Sequence, residues 1–214
     1  MKFLSLNNFK EIQIAYSKTF YNGCVLLEES QLLYDNNKYA RAYLLAHIAI
    51  EEWARCFMLA SAIMKFKIRA LDVKKLLRRQ TSHQDKIELA YSFVKMLKKH
   101  GNPLGKENKK EAMNEIMRNL NAEFMIGKDE IRKLNDFKNS SFYVDHYENV
   151  TKSPSEMISE EKASELIASA MLLKELLELA KWHEDEVLID LAKKMEPETM
   201  FLIKELFSPN ANKY

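Results

Sequence analysis

The chain has 214 residues, a formal net charge of +2, and only four glycines and four prolines. That length supports one sizeable core or two small ones. The scarcity of Gly and Pro leaves little material for hairpins or a glycine-rich phosphate loop. The near-neutral balance excludes a polyanion binder by bulk composition alone. Cys24 and Cys56 both lie in apolar helical patterns and make no metal or disulfide framework. The opening Met1-Lys2-Phe3-Leu4-Ser5 lacks a signal-peptide core, and the uncharged run Ala42 to Ile50 is too short to span a bilayer. A cytoplasmic protein without membrane contact is therefore expected.

From Ser5 to Tyr34, apolar residues recur at three and four (Phe9, Ile12, Tyr16, Phe20, Leu27), and Asp35-Asn36-Asn37 breaks the pattern. The next helix, Lys38 to about Lys67, carries a stripe of Ala42, Leu45, Ala49, Cys56, Ala60 and Ile63, small enough for close approach by a neighbour. A short helix is expected over Leu71–Leu77. Ser82 then reads as the N-cap of a helix from His83 to about Lys99, closed by Gly101-Asn102-Pro103. Lys109 to Ile126 reads as another, with Gly127 at its C-terminal end. Arg132 to Asp145 reads as a charged, aromatic connector. Ser153-Pro154-Ser155-Glu156 combines a capping box with Pro at the first helical position, and predicts a long helix to about Lys194. Pro197 restarts a short helix, and a disordered tail is expected over 208–214. The fold class is all-α, with 1–207 forming a single domain.

Charge is unevenly spread. Lys65 to Arg79 holds seven basic residues against Asp72, while Glu156 to Glu186 holds nine acids against three lysines. Such polarity permits a basic face for RNA or an acidic protein; the plainer explanation is an ordinary solvated helix surface. Within the second helix, Glu51 has His47 and Arg55 four residues to either side, a local charge ladder. Glu52 has Leu45, Ile48, Ala49, Cys56 and Leu59 around it, so it is expected to face the core. A buried carboxylate needs a partner, and Arg132, Lys138 and Lys86 are the candidates. His83 and Lys86 can share one side of a helix start, and Arg78 with His83 fits an Arg–four residues–His spacing. In the later segment Arg132 and Lys138 could hold an anion, Asn135 could orient it, and Tyr143 and Asp145 share a side if extended. No cysteine–histidine cluster suggests zinc, and no nucleophile elbow or dinucleotide fingerprint occurs. No cofactor is expected.

Several segments together resemble the AbiV family of abortive-infection proteins, members of the HEPN superfamily. They are Asn22 with Leu27-Glu28-Glu29-Ser30, Tyr39-Ala40-Arg41-Ala42, Ala46-His47-Ile48-Ala49-Ile50-Glu51-Glu52 and His83-Gln84-Asp85-Lys86. Arg132, Lys138, Phe142-Tyr143-Val144-Asp145 and Ser153-Pro154-Ser155-Glu156 complete the set. The resemblance implies an α-helical bundle, usually dimeric, acting in bacterial defence against phage; the residues after it add C-terminal helices to the expected HEPN-like bundle. It also implies metal-independent RNA cleavage in many members, where Arg stabilises the phosphorane and His shuttles the 2′-hydroxyl proton. Arg78, His83, Arg132 and Lys138 are the catalytic candidates; Glu51, Glu52, Lys86, Asn135, Tyr143 and Asp145 form the expected polar core. Lys138 stands where the resemblance leads to a histidine after Arg132, and Arg55 stands where the family more often has lysine. The expected partners are a second copy of the chain, RNA or the ribosome, and a phage protein as activator. The alternatives are a non-catalytic protein gripping RNA, ribosome or a phage protein, and a metal-dependent phosphodiesterase using Glu51, Glu52 and Asp145.

Overall fold

The computed structural model describes residues 9–67, 72–101, 126–147 and 150–181. Within them the chain forms α1 (Phe9–Asp35), α2 (Tyr39–Lys67), α3 (Val73–Thr81), α4 (His83–His100) and α5 (Lys128–Ser140). A two-stranded hairpin follows, β1 (Asp145–Tyr147) and β2 (Val150–Lys152), then the single turn α6 (Pro154–Met157) and α7 (Glu160–Ala180). The fold is an all-α bundle, as the sequence predicts. The hairpin is antiparallel, pairing Asp145 with Lys152 and Tyr147 with Val150. The expected helix at Lys109–Ile126, the restart at Pro197 and the tail lie outside the described residues.

α1 and α2 pack along their length as an antiparallel hairpin. The Asp-Asn-Asn break supplies the reversal, with Asn37 in the left-handed region at φ 58°, which Asn tolerates better than most residues. The turn closes through Lys38 N–H donating to Leu33 O at 2.8 Å. Where the helices cross, Gly23 leaves room for the Trp53 indole: a Cβ there would stand 2.4 Å from Nε1. That indole donates to Phe20 O at 3.4 Å.

α2 touches every other helix of the described fold. It is buried on more than the one stripe its alanines mark. A second row, Tyr43, His47, Ile50, Glu51, Ala54, Phe57, Met58 and Ser61, is also buried and meets α4, where Phe57 stacks on Phe93 at 4.0 Å between ring centres. Leu45, Ile48, Glu52 and Arg55 form a half-buried flank instead.

Several boundaries differ from expectation. The helix expected over Leu71–Leu77 runs instead from Val73 to Thr81. Arg132 to Ser140 is helical, because α5 extends through it, with Asp129 and Glu130 in its first turn where the helix dipole favours acids. Gly127 is the N-cap of that helix. The capping box at Ser153 and Glu156 forms as read, but its helix lasts one turn. Ser159 caps a new start by accepting from Lys162 N–H, and this second helix ends at Ala180 with Lys181 in the left-handed region. The long helix expected to Lys194 is thus shorter at both ends. Among the described residues no helix is long and apolar enough to cross a membrane.

Candidate functional site

The polar centre lies where α4 and α5 meet α2, and Glu51 is its hub. Glu51 is 4% exposed. One carboxylate oxygen, Oε2, lies 2.5 Å from Lys86 Nζ and 2.8 Å from His83 Nδ1. The other, Oε1, accepts from Lys138 Nζ at 3.2 Å. His47 Nε2 stands 3.6 Å from Oε1, a polar contact longer than a good hydrogen bond. Three helices therefore converge on one carboxylate: α2 supplies it, the first turn of α4 supplies His83 and Lys86, and the last turn of α5 supplies Lys138.

Each position has a local cause. Ser82 caps α4 by accepting from Asp85 N–H, which fixes the helix start so that His83 and Lys86, three apart, share a side. Asp85 pairs with Arg79 Nε at 3.4 Å and ties α3 to the same turn. On α5, Ile131, Leu134, Asn135 and Lys138 form the inward stripe, and Lys162 of α7 sits 4.4 Å over the Phe137 ring.

The electrostatics are one-sided. Burial pushes the Glu51 carboxyl up, but His47, Lys86 and Lys138 outweigh it and hold the group well below the usual carboxylate range. Burial drives the His47 imidazole down, so it is neutral at physiological pH. Burial also raises the Tyr91 phenol well above its ordinary value. The Glu51 carboxylate beside His47 Nε2 can only accept, which places the imidazole hydrogen on Nε2; Nδ1 then accepts from the protonated Tyr91 hydroxyl, 3.3 Å away. With His47 neutral, one carboxylate faces two ammonium groups, so the cluster carries an excess positive charge. The His83 side chain alone is open, 61% exposed, with Nδ1 held by Glu51.

Several sequence expectations are met and several are corrected. His83, Lys86 and Lys138 do gather at a glutamate, but at Glu51. Glu52 is not the core carboxylate: it lies on the half-buried flank of α2 and takes Arg55 Nη1 at 2.9 Å. The i+4 ladder from Glu51 to Arg55 is not formed, since Arg55 turns to Glu52. Arg132 is exposed on α5 and Arg78 is exposed on α3; neither enters the cluster. Asn135 is half-buried on the inward stripe. Tyr143 is 61% exposed. Asp145 accepts from the Ser140 hydroxyl, and Phe142 to Asp145 is not a continuous strand, since a turn and bend precede β1. Glu51, Glu52 and Asp145 thus point to different partners and do not converge as metal ligands. Tyr91 and the inward role of His47 were missed. The signal available was the spacing Tyr43–His47–Glu51, four and four, which marks one helix face.

A family model described as AbiV matches residues 11–175, a span that contains every member of the Glu51 cluster. No curated protein and no solved structure matches the chain.

Proposed function

The chain belongs to the AbiV family of HEPN proteins, and from that premise we propose that it is an antiphage abortive-infection effector that cleaves RNA without metal. The observation that carries the reading is the buried Glu51 carboxylate 2.8 Å from Nδ1 of an exposed histidine. A carboxylate so placed fixes the ring and its tautomer, leaving Nε2 free toward solvent to move protons.

In this mechanism His83 Nε2 takes the proton of a 2′-hydroxyl, and the freed oxygen attacks the adjacent phosphorus. The P–O5′ bond breaks as the imidazolium returns its proton to the departing 5′ oxygen. The products are a 2′,3′-cyclic phosphate and a 5′-hydroxyl. The excess positive charge of Lys86 and Lys138 over Glu51 favours the added negative charge of the phosphorane. Arg78 and Arg132, both exposed, are assigned to phosphate contacts along the strand. The protein would act in the cytoplasm as a homodimer, the commonest closed assembly, with a phage protein as trigger.

The test is cleavage of total RNA or tRNA in EDTA by wild type and His83→Ala. Wild type should cut and leave cyclic phosphate ends; His83→Ala should lose about 10²–10⁴-fold in rate while still binding RNA. Equal cutting by both would remove His83 as proton carrier. Binding without cleavage by either would favour the second reading, a basic site that grips RNA or ribosome and cuts nothing.

A further inference from the structure

We propose that the turn following α5 is a base-stacking subsite for single-stranded RNA, built from Tyr143, Phe142 and Arg41. The inference rests on the RNA-directed reading above and narrows its substrate class to unpaired strands.

Three consecutive apolar residues, Phe142, Tyr143 and Val144, are 47%, 61% and 51% exposed. They are not loosely held. Ser141 is fully buried and its hydroxyl donates to Lys138 O at 2.6 Å. Phe142 N–H and Tyr143 N–H both donate to Asn139 O, at 3.0 and 2.9 Å. The turn therefore presents its aromatic rings outward as a preformed element. The two rings meet edge to face, 4.7 Å between centres and 87° between planes, and Tyr143 keeps most of its surface open to solvent.

Arg41 completes the platform from α2. Its Nη1 donates to Phe142 O at 3.2 Å, and its guanidinium lies 4.9 Å from the Phe142 ring centre. A carbonyl oxygen and a ring leave the positive charge uncancelled, and several of its five N–H donors remain for a phosphate. Beside Arg41 opens a cavity of about 330 Å³, bounded by Lys38, Tyr39, Pro154 and Ser155, whose lining contains two cations and no acid. Exposed aromatic faces interleaved with cations along a groove are what an unpaired nucleic-acid strand uses: bases stack, phosphates pair, and sequence matters little. A duplex keeps its bases stacked on each other and offers no free face.

The platform is also placed to work with the Glu51 cluster. Lys138, which holds Glu51, is four residues before Phe142, and its carbonyl accepts from the Ser141 hydroxyl at the start of the turn. Arg41 and Glu51 are ten residues apart on α2, about 15 Å along the helix axis, or roughly four nucleotides of stacked strand. A strand seated on Tyr143 can thus present a phosphate a few nucleotides away to His83.

The experiment is fluorescence anisotropy of the full chain with a labelled 2′-O-methyl dodecamer in EDTA, single-stranded and as a duplex. The methylated strand cannot be cut, so binding is read apart from cleavage. Single strand should bind more tightly than duplex. Tyr143→Ala should weaken it about tenfold, Tyr143→Phe should restore it to within about twofold, and Arg41→Gln should lower the salt slope by about one. Equal affinity for single strand and duplex, unchanged binding by Tyr143→Ala, or no binding by wild type would each overturn the subsite. Binding that depends on Tyr143 in a protein that cleaves nothing would sustain the subsite and remove the His83 mechanism. Cleavage that depends on His83 but not on Tyr143 would do the reverse.

Discussion

The two sides of α2 are built from opposite materials. Toward α1 the contact is apolar and tight enough that Gly23 alone admits the Trp53 ring. Toward α4 and α5 the same helix carries His47 and Glu51 into a cluster of imidazole, ammonium and carboxylate. The first side contributes stability through burial and close packing. The second is a costly arrangement, because each ion there gives up hydration and is stable only while its partners stay in place. One helix thus anchors the bundle with one face and carries the polar cluster with the other.

The sharpest way to break the comparison is to remove the hub. Glu51→Ala strands Lys86 and Lys138 beside each other and should cost about 3–5 kcal/mol, read as a lower urea midpoint. If the loss is under about 1 kcal/mol, the cluster is not the coupled unit described here.

Acid should separate the two faces next. The Glu51 carboxyl is held below its ordinary value of 4.5, so its stabilisation is full above that pH and is lost as pH falls toward the folded value. His47 is held below 6.5 by burial, so the unfolded chain takes up its proton first and stability begins to fall below about that pH. Both signs agree: urea midpoints should decline in two stages, from about pH 6.5 and again below about 4.5. In Glu51→Gln the second stage should shrink. A wild-type midpoint that is flat from pH 7 to 4 would contradict both assignments.

On the apolar side, Gly23→Ala should lower stability by about 1–2 kcal/mol, since overpacking against Trp53 outweighs the helix propensity gained. A thermal melt would show the loss with RNA cleavage per folded molecule unchanged. The smallest effect belongs to Glu52→Ala. Its side chain is 14% exposed and that of its partner Arg55 36%, and a partly solvated pair of this kind contributes about 1 kcal/mol or less. A larger loss would place Glu52 in the core after all.

The bundle was largely legible because its signals are local. The Asp-Asn-Asn break, the Ser82 cap and the Ser153 box each act within a few residues of where they stand. Three members of the polar cluster, His83, Lys86 and Lys138, were legible as neighbours of a glutamate, but its hub was not. Choosing between Glu51 and Glu52 needs the rotational position of α2 relative to three neighbours, about 100° per residue. The alanine stripe identifies the face toward α1 and α7 while saying little about a second buried face. α5 was misread for a similar reason: its inward stripe of Ile131, Leu134 and Lys138 is short, and charged residues cover the rest. Tyr91 left no mark, because a tyrosine in an apolar row looks like packing until its hydroxyl finds His47.

The central claim is that Glu51, and not its neighbour, prepares His83 for proton transfer. The most direct measurement is the rate of RNA cleavage in EDTA by Glu51→Gln beside Glu52→Gln, each checked for helical content by circular dichroism. Glu52→Gln should cut at close to the wild-type rate while folded Glu51→Gln falls by about 10²–10⁴-fold. Equal rates in the two variants would contradict it.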